Sequence, residues 1–272
     1  MAATATRRSA ATADELRAAA DRLERRPAQE VLAWAIGTFG RGFAVVTSFQ
    51  AEGLVVLDLA RRIDPQVRVL TLDTGRLPEE TFEVMEAVRS GMRLPVEVLA
   101  PDPAAVAAMV GRHGPNLFRR DPSLRMLCCH VRKVAPLAAA LAGLDAWATG
   151  LRRDGGQARA GTGKVELDAD HGGIVKLNPL ADWTREQVWD HVRANRLPVN
   201  ALFERGYSSI GCAPCTRPTR PGEDERAGRW WWEADATREC GLHHASPDER
   251  FEVALGRLRD DLVGGQDGKG SG

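Results

Sequence analysis

Five cysteines in a chain of 272 residues hold most of its readable chemistry. Cys128 and Cys129 are adjacent, Cys212 and Cys215 form a Cys-x-x-Cys, and Cys240 stands apart in Glu239-Cys240-Gly241-Leu242-His243. Thiolates are soft ligands, and Cys-x-x-Cys has the spacing of zinc and iron–sulfur sites. With Cys128 and Cys129 it makes a set of four; a redox dithiol and buried structural thiols are the competing readings. Successive side chains diverge in regular structure, so two adjacent cysteines reach one metal group only at a helix end or a local distortion. Cys240 is outside ligand spacing of that set. A nucleophilic thiol has to be accessible and partly ionised, and His243 with nearby arginines would favour the thiolate. An inert buried thiol is the alternative.

Anion-binding candidates come next. The apolar run Phe43–Thr47 ends in Ser48-Phe49-Gln50-Ala51-Glu52-Gly53 and a helical pattern, and helix N-terminal amides hold phosphates; a plain strand-to-helix turn has the same appearance. Leu72-Asp73-Thr74-Gly75 closes another run, where Asp73 either meets a ribose or amine or caps a turn. Arg152 and Arg153 follow Thr149-Gly150-Leu151, and Arg159 follows in a loop. Arg226 and Arg229 precede Trp230-Trp231-Trp232. Guanidiniums grip phosphate and sulfate in a bidentate manner, although arginines in loops are often merely solvated. The tryptophans suit stacking, a protein contact or core packing.

These groups need a scaffold, and the rest of the chain describes one. Hydrophobic residues make up 43 % of the sequence, an ordinary share for a globular core. Lys plus Arg and Asp plus Glu both total 37, so no net field draws the chain to nucleic acid or a membrane. No apolar run approaches the roughly 20 residues of a membrane span, and Met1 to Ala20 lacks the apolar centre of a secretory signal. The expectation is a cytoplasmic protein that uses its odd number of cysteines for metal or catalysis.

Apolar runs at Phe43–Thr47, Val67–Leu72, Val96–Leu99 and Ala146–Thr149 read as strands. Helical patterns alternate with them: one from Asp14 through Leu23, then Val31–Phe39, Leu54–Ile63, one opening at Pro78, and Val131–Leu141. Alternation of this kind predicts an α/β fold, a mainly parallel sheet flanked by helices with ligands beyond the carboxyl ends of the strands. Val165–Leu167 and Ile174–Leu177 read as a hairpin, and Thr184–Asn195 as a helix capped by Thr184 or Asp182. Residues 206–228 form a long irregular segment of the sort that carries function. The expected organisation is a disordered stretch over 1–12, an α/β domain over 13–235 and a mobile tail over 236–272 carrying Cys240.

Taken together, Leu72-Asp73-Thr74-Gly75, Cys128-Cys129 with Arg132-Lys133, Thr149 to Arg153, Tyr207 to Cys215, and Gly228-Arg229-Trp230-Trp231-Trp232-Glu233 ending at Glu239 to His243 resemble the assimilatory adenylyl-sulfate reductases. That family also contains the phosphoadenylyl-sulfate reductases, and the similarity spans roughly residues 40–245. The resemblance implies a fold like the adenine-nucleotide alpha-hydrolases. Relatives with both cysteine pairs hold a [4Fe-4S] cluster and use adenosine 5′-phosphosulfate, so it implies Cys128, Cys129, Cys212 and Cys215 as ligands. Relatives without the pairs lack the cluster and use the 3′-phosphorylated substrate. It implies that Cys240 attacks sulfur, releases AMP and forms an S-sulfocysteine, from which thioredoxin releases sulfite in sulfate assimilation and cysteine biosynthesis. It further implies substrate contacts from Ser48, Leu72, Asp73, Thr74, Gly75, Lys133, Arg152, Arg153, Arg159, Arg226, Arg229 and His243. The chain departs from relatives at Asp154 to Ala158, where Gln-Ser is frequent, and at Gly53, where an acidic residue is common.

Three rivals make different demands. The phosphoadenylyl-sulfate enzyme would prefer the other nucleotide. An ATP-using sulfur transferase acting on RNA would need a basic face. A zinc-binding interaction module would hold zinc without sulfide. Neither nucleic acid nor membrane is an expected partner, and a homo-oligomer is compatible with the sequence.

Overall fold

The computed structural model describes residues 13–156, 159–233 and 249–264. Expectations for residues 1–12, for Cys240 and His243, and for the rest of 236–248 and 265–272 fall outside the described residues. In chain order the elements are α1 (Ala13–Leu23), α2 (Ala28–Phe39), β1 (Phe43–Val46), α3 (Ala51–Arg61), β2 (Arg68–Leu72), α4 (Glu79–Glu86) and β3 (Val96–Leu99). They continue with α5 (Pro103–His113), α6 (Pro122–Cys129), α7 (Ala135–Leu141), β4 (Ala146–Ala148), β5 (Val165–Asp168), β6 (Ile174–Leu177), α8 (Arg185–Ala194) and α9 (Glu249–Gly264). The chain divides into two compact units built from interleaved segments. One comprises Met1–Thr71, Glu79–Glu97 and Leu141–Ala201; the other comprises Leu72–Pro78, Val98–Ala140 and Leu202–Gly272.

The sheet has six strands in the order β3-β2-β1-β4-β6-β5. β1 pairs in parallel with β2 and β4, and β4 with β6, while β5 and β6 are antiparallel. The expected mainly parallel α/β architecture and its hairpin are both present. Central strands covered on both faces read as unbroken apolar runs, and Ala146, Trp147 and Ala148 are all buried. α3 is apolar almost all round and buried from Gly53 to Ala60, as a helix in the middle of a core must be. Thr184 caps α8 in a reciprocal capping box with Gln187, which satisfies two otherwise orphaned amides.

One charged residue, Asp58, interrupts the buried stretch of α3 from Gly53 to Ala60. The Asp58 side chain is fully buried and is held by Arg61 at 2.8 Å, Arg62 at 2.8 Å and His191 Nε2 at 2.9 Å. Burial pushes its carboxyl up, but bonds from His191, Arg62 and Arg61 outweigh this and hold it below the usual carboxylate range. A carboxyl lowered on folding stabilises the fold above its unfolded pKa of about 4, and that contribution disappears as the pH falls through the depressed value. Asp58→Asn is therefore expected to cost ~3–5 kcal/mol at neutral pH, with the gap to wild type closing in acid. Urea unfolding at pH 7 and pH 3 tests this; a gap of equal size at both would contradict it.

The second unit has its own core, in which Met109 of α5, Leu127 of α6 and Phe251, Ala254, Leu255 and Leu258 of α9 pack together. Arg112 donates Nε and Nη2 to Asp261 at 2.7 and 2.5 Å. α5, α6 and α9 were not among the helices expected from sequence. The first two start at Asp-Pro: Asp102 accepts from Ala104 N at 2.8 Å and Asp121 from Ser123 N at 2.7 Å, each with proline in the first turn. An aspartate cap followed by proline is a helix-start signal that readily passes for a turn.

Candidate functional site

In the second unit all four cysteines of the ligand set line one pocket, with Arg76, Arg132, Lys133 and Arg229 among its other walls and about 380 Å³ of unfilled space, part of it open to solvent. Cys128 and Cys129 end α6, and the next five residues, His130–Val134, form a π-helical turn carrying Arg132 and Lys133. This is the helix end and local distortion that adjacent cysteine ligands require; wide turns of this kind cluster at functional sites. Cys212 and Cys215 bracket a short 3₁₀ turn, closed by Cys215 N donating to Cys212 O at 2.9 Å.

The Asp73 to Arg76 turn braces both arms of the pocket. The Thr74 hydroxyl is 3.3 Å from Cys212 Sγ, Ala213 N donates to Arg76 O at 2.8 Å, and Arg132 Nη1 donates to Thr74 O at 2.6 Å. Gly75 has φ +67°, a left-handed conformation that glycine adopts without a Cβ penalty. Asp73 Oδ1 accepts from Gly75 N at 2.8 Å, so one of its carboxylate oxygens caps this turn.

Cys128, Cys212 and Cys215 are buried and Cys129 is half-buried. Burial pushes the Cys128 thiol up against the opposing charge of Arg132, and pushes Cys215 up to about 12, with Cys212 adding to the effect and Lys133 opposing it. Without metal these two are neutral thiols; a bound metal deprotonates such a ligand outright. Among the described residues no three of His, Cys, Asp or Glu gather closely enough to hold a single ion.

The first unit holds the anion-binding candidates Ser48, Arg152, Arg153 and Arg159. Ser48 is exposed in the turn between β1 and α3, and Phe49 N donates to Thr47 Oγ1 at 2.9 Å. The turn is tightly packed: a Cβ on Gly53 would lie 2.2 Å from Thr47 Oγ1, and one on Gly150 would lie 2.8 Å from Glu52 Cβ and 3.0 Å from Gly53 N. Arg152, 3 % exposed, pairs with Glu52 at 3.0 Å and with Asp154. Arg153 pairs with Glu24 and donates to Thr162 O at 2.8 Å. Gly150→Ala forces backbone to move and is expected to cost ~1–3 kcal/mol. Gly37→Ala, in α2 with open space around it, is expected to stabilise by ~1 kcal/mol. Denaturant unfolding of the two variants side by side checks the contrast.

The structure thus brings Thr74, Lys133 and Arg229 to the cysteines, and Arg152 to the Ser48 turn through Glu52. Leu72, Arg159 and Arg226 are half-buried and do not line the cysteine pocket. Sequence reasoning missed Arg76, Arg125 and the carboxylates Glu24, Glu52 and Glu233. Arg125 lies three and four residues before the cysteine pair, which puts it on their side of a helix once α6 is recognised.

A family profile described as the phosphoadenosine phosphosulfate reductase domain matches residues 42–218. The adenosine 5′-phosphosulfate reductase of Allochromatium vinosum is 49 % identical over 197 residues, covering 72 % of this chain and 77 % of its own. That of Pseudomonas aeruginosa is 42 % identical over 234 residues, covering 84 % and 86 %. Among solved structures, the phosphoadenylyl-sulfate reductase from Candida auris, in a phosphate complex, superposes with a TM-score of 0.65 at 27 % identity, covering 76 % of this chain and 98 % of its own. An FMN adenylyltransferase of Candida glabrata matches at 0.50 and 13 % identity, a likeness of fold alone.

Proposed function

Because this chain belongs to the phosphoadenosine phosphosulfate reductase family, we propose that it reduces adenosine 5′-phosphosulfate to sulfite and AMP, with thioredoxin as reductant, in the assimilation of sulfate in the cytoplasm. It is an oxidoreductase acting on a sulfur group. The observation that carries the choice of substrate is the pocket in which all four cysteines meet Arg132, Lys133 and Arg229. Among the described residues no carboxylate lines that pocket, so its cations suit an anionic cluster and an anionic substrate together. We assign a [4Fe-4S] cluster to Cys128, Cys129, Cys212 and Cys215. When bound, the cluster supplies a polarising charge beside the sulfate and need not supply electrons.

A thiolate approaching a phosphosulfate is repelled, so cations must be in place first. Lys133 and Arg229 take that role at the sulfate end. The Cys240 thiolate forms a bond to the sulfate sulfur while the S–O bond to AMP breaks, its electron pair leaving with AMP. A thiolate of thioredoxin then attacks the Cys240 sulfur, and sulfite departs with the electron pair of the S–S bond. The second thioredoxin thiol resolves the mixed disulfide. Two electrons pass from the dithiol to sulfur, which balances the step.

Incubation with adenosine 5′-phosphosulfate in the absence of thioredoxin is expected to leave one sulfonate on Cys240, located by mass spectrometry. A sulfonate elsewhere, or none, overturns the mechanism. Preference for the 3′-phosphorylated nucleotide would overturn the choice of substrate.

A further inference from the structure

Arg229 is 4 % exposed, yet among the described residues no carboxylate pairs with it. Its Nε has no partner, and its Nη1 reaches only Ser209 Oγ, at 3.5 Å. A buried cation without a counter-charge is costly, and a carboxylate follows in the same chain segment. Glu233, four residues on, is 9 % exposed, and its Oε2 has no partner. Its other oxygen accepts from Arg125 Nε at 2.7 Å, in an ion pair whose side chains are 9 % and 6 % exposed. The Arg125 and Arg229 guanidiniums lie 4.6 and 4.8 Å from the centroid of the same Trp230 ring. Two arginines therefore share one indole, and of the two only Arg125 pairs with Glu233.

Each arginine is fixed separately. Arg125 is set by α6, the helix that ends in the cysteine pair. Arg229 rests against Gly211, where a Cβ would fall 2.2 Å from Nη2 and 2.4 Å from Cζ; glycine leaves the space the guanidinium fills. We propose that Arg125 is a positioning residue: it holds Glu233 so that Arg229 keeps its charge for the sulfate end of the substrate. The proposal rests on the reading of this pocket as a phosphosulfate site.

Removing either partner breaks the same ion pair but has opposite consequences for Arg229. Arg125→Met releases Glu233 to quench it. Glu233→Gln leaves Arg229 unquenched and adds a second cation beside it. The test is the equilibrium Kd for adenosine 5′-phosphosulfate in a Cys240→Ser background, which cannot turn over, with thermal melting in parallel. Arg125→Met is expected to weaken binding ~10- to 100-fold, the scale of one charge-assisted contact. Glu233→Gln, the double variant Arg125→Met/Glu233→Gln and the rescue variant Arg125→Lys are expected to stay within about threefold of the parent. If Arg125→Met does not fold, Arg125→Gln reads the same asymmetry. Equal weakening by Arg125→Met and Glu233→Gln, or none by either, overturns the proposal and leaves a purely structural pair. Failure of the Cys240→Ser parent itself to bind overturns the functional reading and the proposal together, a result distinct from loss of the asymmetry.

Discussion

Cys240→Ser is expected to release no measurable sulfite, a loss of more than ~1,000-fold, while keeping its iron and acid-labile sulfide at wild-type levels. Removal of a covalent nucleophile has effects on this scale or larger, because a serine hydroxyl at neutral pH is almost entirely protonated and no second thiol stands in for it. The four remaining cysteines line the pocket of the second unit and are committed to metal in the proposed mechanism. The prediction separates two jobs within one residue type. Sulfite assays with thioredoxin measure the first, and iron and sulfide analysis with visible absorption measures the second. Normal turnover would falsify the assignment of the nucleophile; loss of iron would show that Cys240 is a ligand.

The complementary prediction is that Cys212→Ser loses the cluster and, with it, stability. An alkoxide or hydroxyl is a hard, poorly matched donor for iron–sulfur chemistry. The turn itself should survive, since the bonds that shape it use the Cys212 carbonyl, which accepts from Cys215 N and from Thr216 Oγ1 at 2.9 Å. What goes is the sulfur facing the Thr74 hydroxyl. Cluster binding contributes to folding free energy because the site does not exist in the unfolded chain. Without the cluster, Arg76, Arg132, Lys133 and Arg229 crowd a pocket that, among the described residues, has no carboxylate in its lining. A fall in Tm of about 10 °C is expected, at the ~2–4 °C per kcal/mol typical of a chain this size. Calorimetry and metal analysis on the same preparation check both halves. Retention of iron and sulfide in full would remove Cys212 from the ligand set, and zinc without sulfide in the wild type would end the cluster assignment.

Much of the sheet was legible because its central strands are buried on both faces and so appear as continuous apolar runs; the ends differ by a residue at Thr47, Val67 and Thr149. Helices α5, α6 and α9 were less visible. Asp102-Pro103 and Asp121-Pro122 satisfy turn chemistry and cap chemistry equally well, and the eight residues of α6 are too few to show much periodicity. The cysteine set was legible as types and spacing, and the structure brings the four to one pocket. Its bracing was not. Thr74 meets Cys212 across 138 positions, Arg125 meets Glu233 across 108 and Arg152 meets Glu52 across 100. Pairings at such separations depend on how segments interleave in space, and spacing along the chain carries no trace of them. Asp73 reads from the sequence either as a ligand contact or as a turn cap, and in the fold one of its carboxylate oxygens caps the next turn.

The wide turn at His130–Val134 has a consequence best stated as angle. Each residue of a regular α-helix advances the azimuth by about 100°, and the π turn takes up one residue more than a regular turn would. Val131 points into the apolar core of its unit, Lys133 toward the cysteines, and Leu137 in α7 is fully buried. A regular helix through the same residues would satisfy only some of these directions. The turn is a phase absorber: it takes in one extra residue, so a deletion of one residue within it would close a regular helix and leave every later side chain near its present bearing.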